Sequence, residues 1–227
     1  MQLEFREVTK EYEEGLKALD NVTFSVQNGE FAFIVGESGA GKTTLVKMLT
    51  REEFPTSGQV IFEEADVHAL EGDEVAHLRR RVGVVFQDYK LLASRTIFEN
   101  VAIALEVVNS PEEVIKSVVP NVLSLVNLSH KMYNVPAQLS GGEKQKAAIA
   151  RALAHEPDIL VADEPTGMID PNSAAEIMEI LEKVNSLGTT VLMATHNKEI
   201  VDKWKKRVIK LDKGVLVSDK KKGTYDG

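Results

Sequence analysis

Short apolar segments alternate with longer amphipathic segments along the chain, which is the pattern of an α/β layer fold. The short segments are rich in β-branched and aromatic residues, and several are apolar throughout, as expected for strands covered on both faces. The predicted strands are 22–26, 31–35, 59–63, 82–86, 158–162, 189–194, 207–211 and 214–218. This pattern predicts a mostly parallel core sheet.

No strand is predicted between about 96 and 154, where apolar residues recur at helical spacing instead. The predicted helices there are 99–108, 111–126 and 141–156. We expect Pro120 to break or kink the second of them, and Pro136 and Pro157 to mark exits into loops. The block is therefore predicted to be a helical subdomain, approximately 90–154, inserted in the α/β core.

The composition is that of an ordinary globular protein, with 43% hydrophobic residues, 27% charged residues and no cysteine. We expect residues 1–227 to form a single domain, because this length does not support several independent ones. The lack of cysteine fits a reducing compartment, and no segment approaches the roughly 18 apolar residues of a spanning helix. A cytoplasmic protein that does not itself cross a membrane is expected.

Charge is unevenly distributed along the chain. The net charge is −8, from 35 acidic and 27 basic residues, so binding to nucleic acid is not indicated. Between residues 198 and 222, however, ten Lys and Arg residues face only four Asp and Glu. This basic C-terminal region is either a solvated surface or a patch for anionic lipid or a partner, and the sequence leaves both open.

The predicted strand 31–35 runs directly into GESGAGKTT, which matches the phosphate-loop pattern G-x-x-x-x-G-K-[ST]. Its glycines let backbone N–H groups converge on phosphate oxygens at a helix N-terminus, where the helix dipole favours anions. Lys42 adds a mobile positive charge, Thr43 presents a hydroxyl to Mg²⁺, and Thr44 is expected near the α-phosphate. The residues predicted to bind ATP here are Gly36, Glu37, Ser38, Gly39, Ala40, Gly41, Lys42, Thr43 and Thr44.

A second acidic element, DILVADEP, is an apolar strand that ends in Asp163 and Glu164. We expect Asp163 near the metal, and Glu164 where a water can be aligned with the γ-phosphate, as the general base. Taken alone, an Asp-Glu pair after a strand is more often a helix cap or a loop surface. Together with the phosphate loop, the catalytic interpretation is favoured.

The segment LSGGEKQKAAIARAL, residues 139–153, is where the sequence resembles the ABC ATPases. Ser140, Gly141 and Gly142 open a predicted helix, so their free N–H groups and hydroxyl form a second anion site. The resemblance implies that this site grips the γ-phosphate of ATP bound to a second copy of the chain. An ATP-dependent homodimer with two sandwiched nucleotides is therefore expected.

Further residues match the family's motifs in the expected order. The resemblance implies that Gln87 contacts Mg²⁺ and senses a membrane partner, and that Asp170 lies in the D-loop. It also implies that His196 contacts the γ-phosphate and that Tyr12 stacks on adenine, although either residue alone is more often core or surface. The predicted catalytic residues are Lys42, Gln87, Glu164 and His196, and the predicted metal ligands are Thr43, Gln87 and Asp163.

Some positions depart from the family pattern. Lys144 and Lys146 stand in the signature helix where Gln and Arg are frequent, and the D-loop has Met168 and Ile169. We expect the signature segment to bind phosphate despite these changes. The methionine replaces a polar or small residue, so we expect communication between the two ATP sites to be altered.

Four segments, 86–92, 95–107, 162–171 and 188–202, are similar to the cell-division subfamily called FtsE. The resemblance implies an α/β fold with a phosphate-loop core, an antiparallel β subdomain and an inserted helical signature subdomain. It also implies an integral membrane partner resembling FtsX, attachment to the cytoplasmic face of the bacterial cell membrane, and control of peptidoglycan hydrolases.

Other functions remain open at this point. ATPase subunits of lipoprotein-releasing or macrolide exporters share these motifs, and a scaffold that binds ATP without essential hydrolysis is a further alternative. The ABC ATPases of DNA repair carry a long coiled-coil insertion and the translation factors carry two such domains, so neither class is expected for residues 1–227.

Overall fold

The computed structural model describes residues 2–226, which form two sheets and seven α-helices. The strands are β1 (Leu3–Glu11), β2 (Lys17–Val26), β3 (Phe31–Val35), β4 (Ser57–Phe62), β5 (Ala65–Asp66), β6 (Val82–Val85), β7 (Ile159–Asp163), β8 (Thr190–Thr195), β9 (Arg207–Asp212) and β10 (Val215–Lys220). The helices are α1 (Lys42–Leu49), α2 (Asp73–Arg81), α3 (Ile97–Glu106), α4 (Glu112–Leu125), α5 (Gly141–Leu153), α6 (Pro171–Ser186) and α7 (Lys198–Trp204).

The larger sheet has six strands in the order β10-β9-β3-β8-β7-β6. All neighbours are parallel except β10, which pairs with β9 in the antiparallel sense. Strands β3, β7 and β8 are buried along their whole length, which explains why β3 is apolar throughout and why β7 and β8 are polar only at their ends. The predicted mostly parallel α/β core is confirmed.

The smaller sheet is antiparallel, in the order β2-β1-β4-β5. Its first strand was not predicted from the sequence. Leu3, Phe5 and Val8 are its buried residues, and a register shift between Phe5 and Val8 interrupts their alternation. Glu7 has a φ of 50° at this irregularity. An extra residue of this kind hides the period of two by which a strand is recognised.

Helices α3, α4 and α5 follow one another between β6 and β7 and pack together. Pro120 was expected to break or kink this helix, and it does not break it, because α4 continues through this residue. The missing N–H of proline deprives the carbonyl four residues earlier, at Lys116, of its donor. Lys116 is exposed, so water can hydrogen-bond that carbonyl. No helix within residues 2–226 is long and apolar enough to span a membrane.

The register of the large sheet aligns the carboxyl ends of β3, β6, β7 and β8 along one side of the sheet. Val35 at the end of β3 lies opposite Thr195 at the end of β8, and Asp163 of β7 lies opposite Ala194. Val85 of β6 lies opposite Ala162 in the same way. In open α/β sheets, ligands bind outside the carboxyl ends of the strands.

Candidate ATP site

The phosphate loop joins β3 to α1 and turns sharply before the helix. Gly41 is the N-cap of α1 and has a φ of 101°. A Cβ atom there would lie 2.5 Å from the carbonyl oxygen of Ala18, so only glycine fits. Lys42 follows as the first helical residue and is only 6% exposed. Its ammonium donates to the carbonyl oxygens of Gly36, at 2.8 Å, and Glu37, at 3.1 Å.

Glu164 contacts both Lys42 of the phosphate loop and His196, the residue that follows β8. One carboxylate oxygen, Oε1, lies 3.5 Å from Lys42 Nζ and 2.7 Å from Nδ1 of His196. The other, Oε2, accepts the backbone N–H of His196 at 3.3 Å. Glu164 has a φ of 49°, a sparsely populated conformation for a residue with a side chain. Its side chain is 12% exposed and that of His196 is 60% exposed, so the pair extends from the interior to solvent.

Asp163 lies beneath this pair and is 9% exposed. Burial raises the pKa of its carboxyl group, whereas a hydrogen bond from the Thr43 side chain opposes the rise and the neighbouring Glu164 carboxylate adds to it. Its Oδ1 atom is buried and has no hydrogen-bond partner within the described chain. A carboxylate oxygen left unpartnered beside a hydroxyl is the oxygen environment that a hard divalent cation prefers, so these residues fit Mg²⁺.

A cavity of about 330 Å³ opens between these groups. It is lined by Ala18, Ser38, Gly39, Gly41, Lys42, Thr43, Thr44, Gln87, Glu164 and His196. Residues from the phosphate loop and from the ends of β6, β7 and β8 therefore meet at one place. Ala18 was not predicted from the sequence, because a small neutral side chain carries no signal of ligand binding.

A larger cavity of about 640 Å³ lies at the opposite edge of the sheet. Among its lining residues are Asp158 and Thr190, near the amino ends of β7 and β8. None of the predicted site residues lines it. The smaller cavity is the candidate ATP site, since the cation, the carboxylates and the histidine converge there.

The other predicted ATP contacts do not line this cavity. Tyr12 is 38% exposed, and the Lys10 ammonium lies 4.9 Å from the centre of its ring. Ser140 is exposed at the start of α5, where its hydroxyl accepts the N–H of Glu143 at 3.2 Å. The Glu143 carboxylate in turn accepts the N–H of Ser140 at 2.8 Å. The helix start at Ser140, Gly141 and Gly142 is thus separate from the phosphate loop of its own chain.

The D-loop lies against the start of α5. Asp170 caps α6, since its carboxylate accepts the N–H groups of Asn172 and Ser173, each at 3.1 Å. A Cβ atom built on Gly141 would lie 3.4 Å from Ile169 Cγ2. Met168 is 60% exposed, so this departure from the family pattern is accessible to another molecule.

The family described as ABC transporter matches residues 19–167. The cell division ATP-binding protein FtsE of Bacillus subtilis is 50% identical over 223 residues, which cover 98% of this chain and 98% of that protein. FtsE of Mycobacterium tuberculosis is 46% identical, with 99% and 98% covered. FtsE of Escherichia coli is 42% identical, with 94% and 96% covered.

A solved structure of an ATP-binding cassette shows the same fold. It is described as a dimer in a post-hydrolysis state bound to ADP and Pi, and it is 34% identical with a TM-score of 0.88. The match covers 97% of this chain and 99% of that one. The exporter alternatives are not favoured, since near-full-length relatives at 42–50% identity are FtsE proteins. This chain therefore belongs to the ABC transporter family of ATPases and, within it, to the FtsE cell-division ATP-binding proteins.

Proposed function

We propose that the cavity beside Lys42 hydrolyses ATP in a homodimer and thereby drives a separate membrane protein that resembles FtsX. The observation that carries this proposal is the convergence of Lys42, Glu164 and His196, with Glu164 Oε1 at 3.5 Å from the ammonium and 2.7 Å from the imidazole. Such a set supplies a cation for phosphate oxygens, a base for water and a group that orients the base.

In the proposed reaction, the oxygen of a water molecule attacks the γ-phosphorus while Glu164 accepts one of its protons. The bond from the γ-phosphorus to the bridging oxygen breaks, and ADP leaves with the bonding electron pair. Lys42 exchanges its carbonyl contacts for phosphate oxygens and stabilises their charge. His196 holds the carboxylate of Glu164 in place and reaches the γ-phosphate from its exposed side.

We assign Mg²⁺ to Thr43, Gln87 and Asp163. Bound there, the ion would neutralise charge on the β- and γ-phosphate oxygens. The unpartnered Oδ1 of Asp163 and the position of Gln87 in the cavity lining support this assignment. Adenine is assigned to the exposed ring of Tyr12.

The γ-phosphate is assigned to Ser140, Gly141 and Gly142 of a second copy. The support is that these residues are absent from the lining of their own chain's cavity, and that the matched cassette is described as a dimer. Residues 1–227 then act as one nucleotide-binding domain, with the helical block at approximately 90–154 as its signature subdomain.

The membrane partner is assigned to the segment from Gln87 to Val107, at the cytoplasmic face of the membrane. Most apolar residues of α3 are buried in the core, which limits the surface available for docking. Leu92 and Val107 remain 40% and 76% exposed and would contact the partner. The work done through the FtsX-like partner is the control of peptidoglycan hydrolases, and the basic region 198–222 adds attraction to anionic lipid.

The catalytic part of the proposal is tested by Glu164→Gln, with ATP binding and phosphate release measured on the purified protein. We expect ATP affinity to be kept and turnover to fall by roughly 10²- to 10³-fold, because a contact made in the transition state is lost. Glu199→Gln, at an exposed position in the first turn of α7, is the matched control. Turnover similar in both variants would refute the role of Glu164.

The membrane part is tested by sedimentation with vesicles that contain or lack the candidate FtsX, at low and high salt. Docking to a protein should survive salt, whereas attraction of the basic region to lipid should weaken as ionic strength rises. Equal binding to both kinds of vesicle, abolished by salt, would reject a protein receptor and leave only the lipid.

A further inference from the structure

His196 and helix α7 are joined through the single residue between them. Asn197 caps α7, because its side-chain oxygen accepts the N–H of Ile200 at 3.1 Å. The N–H of Asn197 donates to Thr195 Oγ1 at 3.0 Å. A displacement of α7 would therefore be transmitted through this capped turn to the imidazole of His196.

Residues 223–226, which we call the tail clasp, fold back from β10 onto α7. The N–H of Gly223 donates to the carbonyl of Lys206 at 3.1 Å, just beyond the helix. The N–H of Tyr225 donates to Asp202 Oδ1 in the middle of α7 at 2.7 Å. The Asp226 carboxylate pairs with Lys198 in the first turn. The clasp thus holds α7 at its start, its middle and the turn after it.

The clasp also packs against the core beneath α7. Gly223 is buried, and a Cβ atom there would lie 2.8 Å from Val208 Cβ of strand β9. The half-buried ring of Tyr225 packs against the same hydrophobic cluster as Trp204. Burial raises the pKa of the Tyr225 phenol, and the Glu37 and Glu164 carboxylates raise it further.

We propose that the tail clasp positions His196 for hydrolysis by holding α7, with Asp202 and Asp226 as positioning residues. This inference rests on the proposed role of His196 at the γ-phosphate. It extends the catalytic unit to a segment about 30 residues further along the chain. The contacts of Tyr225 and Asp226 described above are made to α7 and not to the phosphate loop, so their loss should affect turnover rather than ATP affinity.

The Lys198–Asp226 ion pair alone contributes little stabilisation, because both side chains are more than half exposed and such pairs are screened by salt. The Asp202 hydrogen bond, at 2.7 Å, is partly buried. A useful test must therefore remove both contacts together. The variant is Asp202→Ala with Asp226→Asn, and the control is Lys222→Met, which removes an exposed charge from the adjoining segment.

Three measurements are made on the full chain: kcat and KM for ATP, and the imidazole resonances of His196 in nitrogen-15 spectra, assigned with His196→Gln. We expect the double variant to lower kcat roughly 10-fold and leave KM within about twofold, because a catalytic group is misplaced while binding is kept. The His196 resonance should shift and broaden. The charge-reversed pair Lys198→Asp with Asp226→Lys should keep both kcat and the resonance near the original values.

The outcomes separate this inference from the proposed function. A shifted His196 resonance with unchanged kcat would support the clasp and refute the role of His196 in turnover. An unchanged resonance would overturn the clasp, whatever happens to kcat. An equal loss of kcat in Lys222→Met would also overturn it, because the effect would then not come from the contacts of the clasp. A comparable loss of kcat in the charge-reversed pair would overturn it as well.

Discussion

Two helix N-termini in this chain have the composition of an anion site, but they differ in what surrounds them. Helix α1 begins at the buried Lys42 and opens onto a cavity that Glu164 and His196 also line. Helix α5 begins after the exposed Ser140, and its N-terminal groups are engaged by the chain's own Glu143. The protomer therefore has one helix start that opens onto the candidate ATP site and one that does not, as expected if the second serves another molecule.

The largest expected difference between the two sites concerns ATP affinity. Lys42→Ala removes a charge-assisted contact worth about 1.5–3 kcal/mol, so we expect affinity to fall roughly 10- to 100-fold and hydrolysis to be lost. Ser140→Arg should leave affinity in the single protomer unchanged and abolish hydrolysis, because it blocks the approach of a second copy. Equilibrium binding of a fluorescent ATP analogue, alongside phosphate release, distinguishes the two.

Stability must be controlled in the second variant, because Ser140 also caps α5. Loss of such a cap costs about 1 kcal/mol, whereas asparagine keeps it. Ser140→Asn is therefore the matched control for folding. Loss of ATP affinity in Ser140→Arg at normal stability would contradict the separation of the two sites.

The next largest effect is the recovery of ATPase activity when two inactive variants are mixed. Lys42→Ala and Ser140→Arg proteins each lack a complete composite site, but their heterodimer should retain one. We expect the mixture to regain ATPase activity, up to roughly a quarter of the original if one site suffices, because about half of the randomly formed dimers are heterodimers and each retains one of two sites. Activity is measured at protein concentrations that favour dimers. Activity no higher than that of the separate variants would contradict either the arrangement across chains or the sufficiency of one site. A crosslink between cysteines introduced at 38 and 140 of different chains decides between these explanations.

The elements that can be predicted from the sequence are those whose burial is uniform. Strand β3 was predicted at its observed bounds and β7 within one residue, because every residue of each is buried. Helix α2 was missed because few of its residues are apolar and only Leu78 in it is buried. Strand β1 was missed at its irregularity near Glu7.

In the candidate site too, some features could be predicted from the sequence and others could not. Local motifs identify Lys42 and Glu164, since each follows directly from a strand and a recognisable pattern. The pairing of Glu164 with His196 depends on the register that sets Asp163 of β7 opposite Ala194 of β8, and no local pattern contains that register. The tail clasp was unpredictable for a related reason: its contacts join a polar segment to one backbone carbonyl and two charged side chains.

A smaller effect is expected from glycine substitution at the start of α5. A Cβ atom on Gly142 would lie 2.5 Å from Ser173 Oγ and 2.6 Å from Ser173 Cβ, so Gly142→Ala forces α5 and α6 apart. We expect a loss of about 1–3 kcal/mol in the free energy of unfolding, as for other overpacked contacts. Ser173→Gly should recover part of it in the double variant, measured by urea unfolding. Additive losses would show that the clash is not the cause.

The smallest effect concerns the capping carboxylate of α5. The hydrogen bond from the Ser140 N–H lowers the pKa of Glu143 below its ordinary value of 4.5, and nearby Lys131 adds to this. A carboxyl group whose pKa is lower in the folded state than in the unfolded state stabilises the fold at pH values above its unfolded pKa. This stabilisation is lost as the pH falls from 4.5 through the folded pKa of Glu143. Glutamine accepts the same hydrogen bond but does not titrate, so Glu143→Gln should cost only about 0.5–1 kcal/mol near pH 7. We expect this difference to shrink as pH falls below 4.5 in urea unfolding series. Glu113→Gln, at an exposed position in the first turn of α4, is the matched control. A difference for Glu143→Gln that does not change with pH would show that its carboxylate charge makes no contribution at the start of α5.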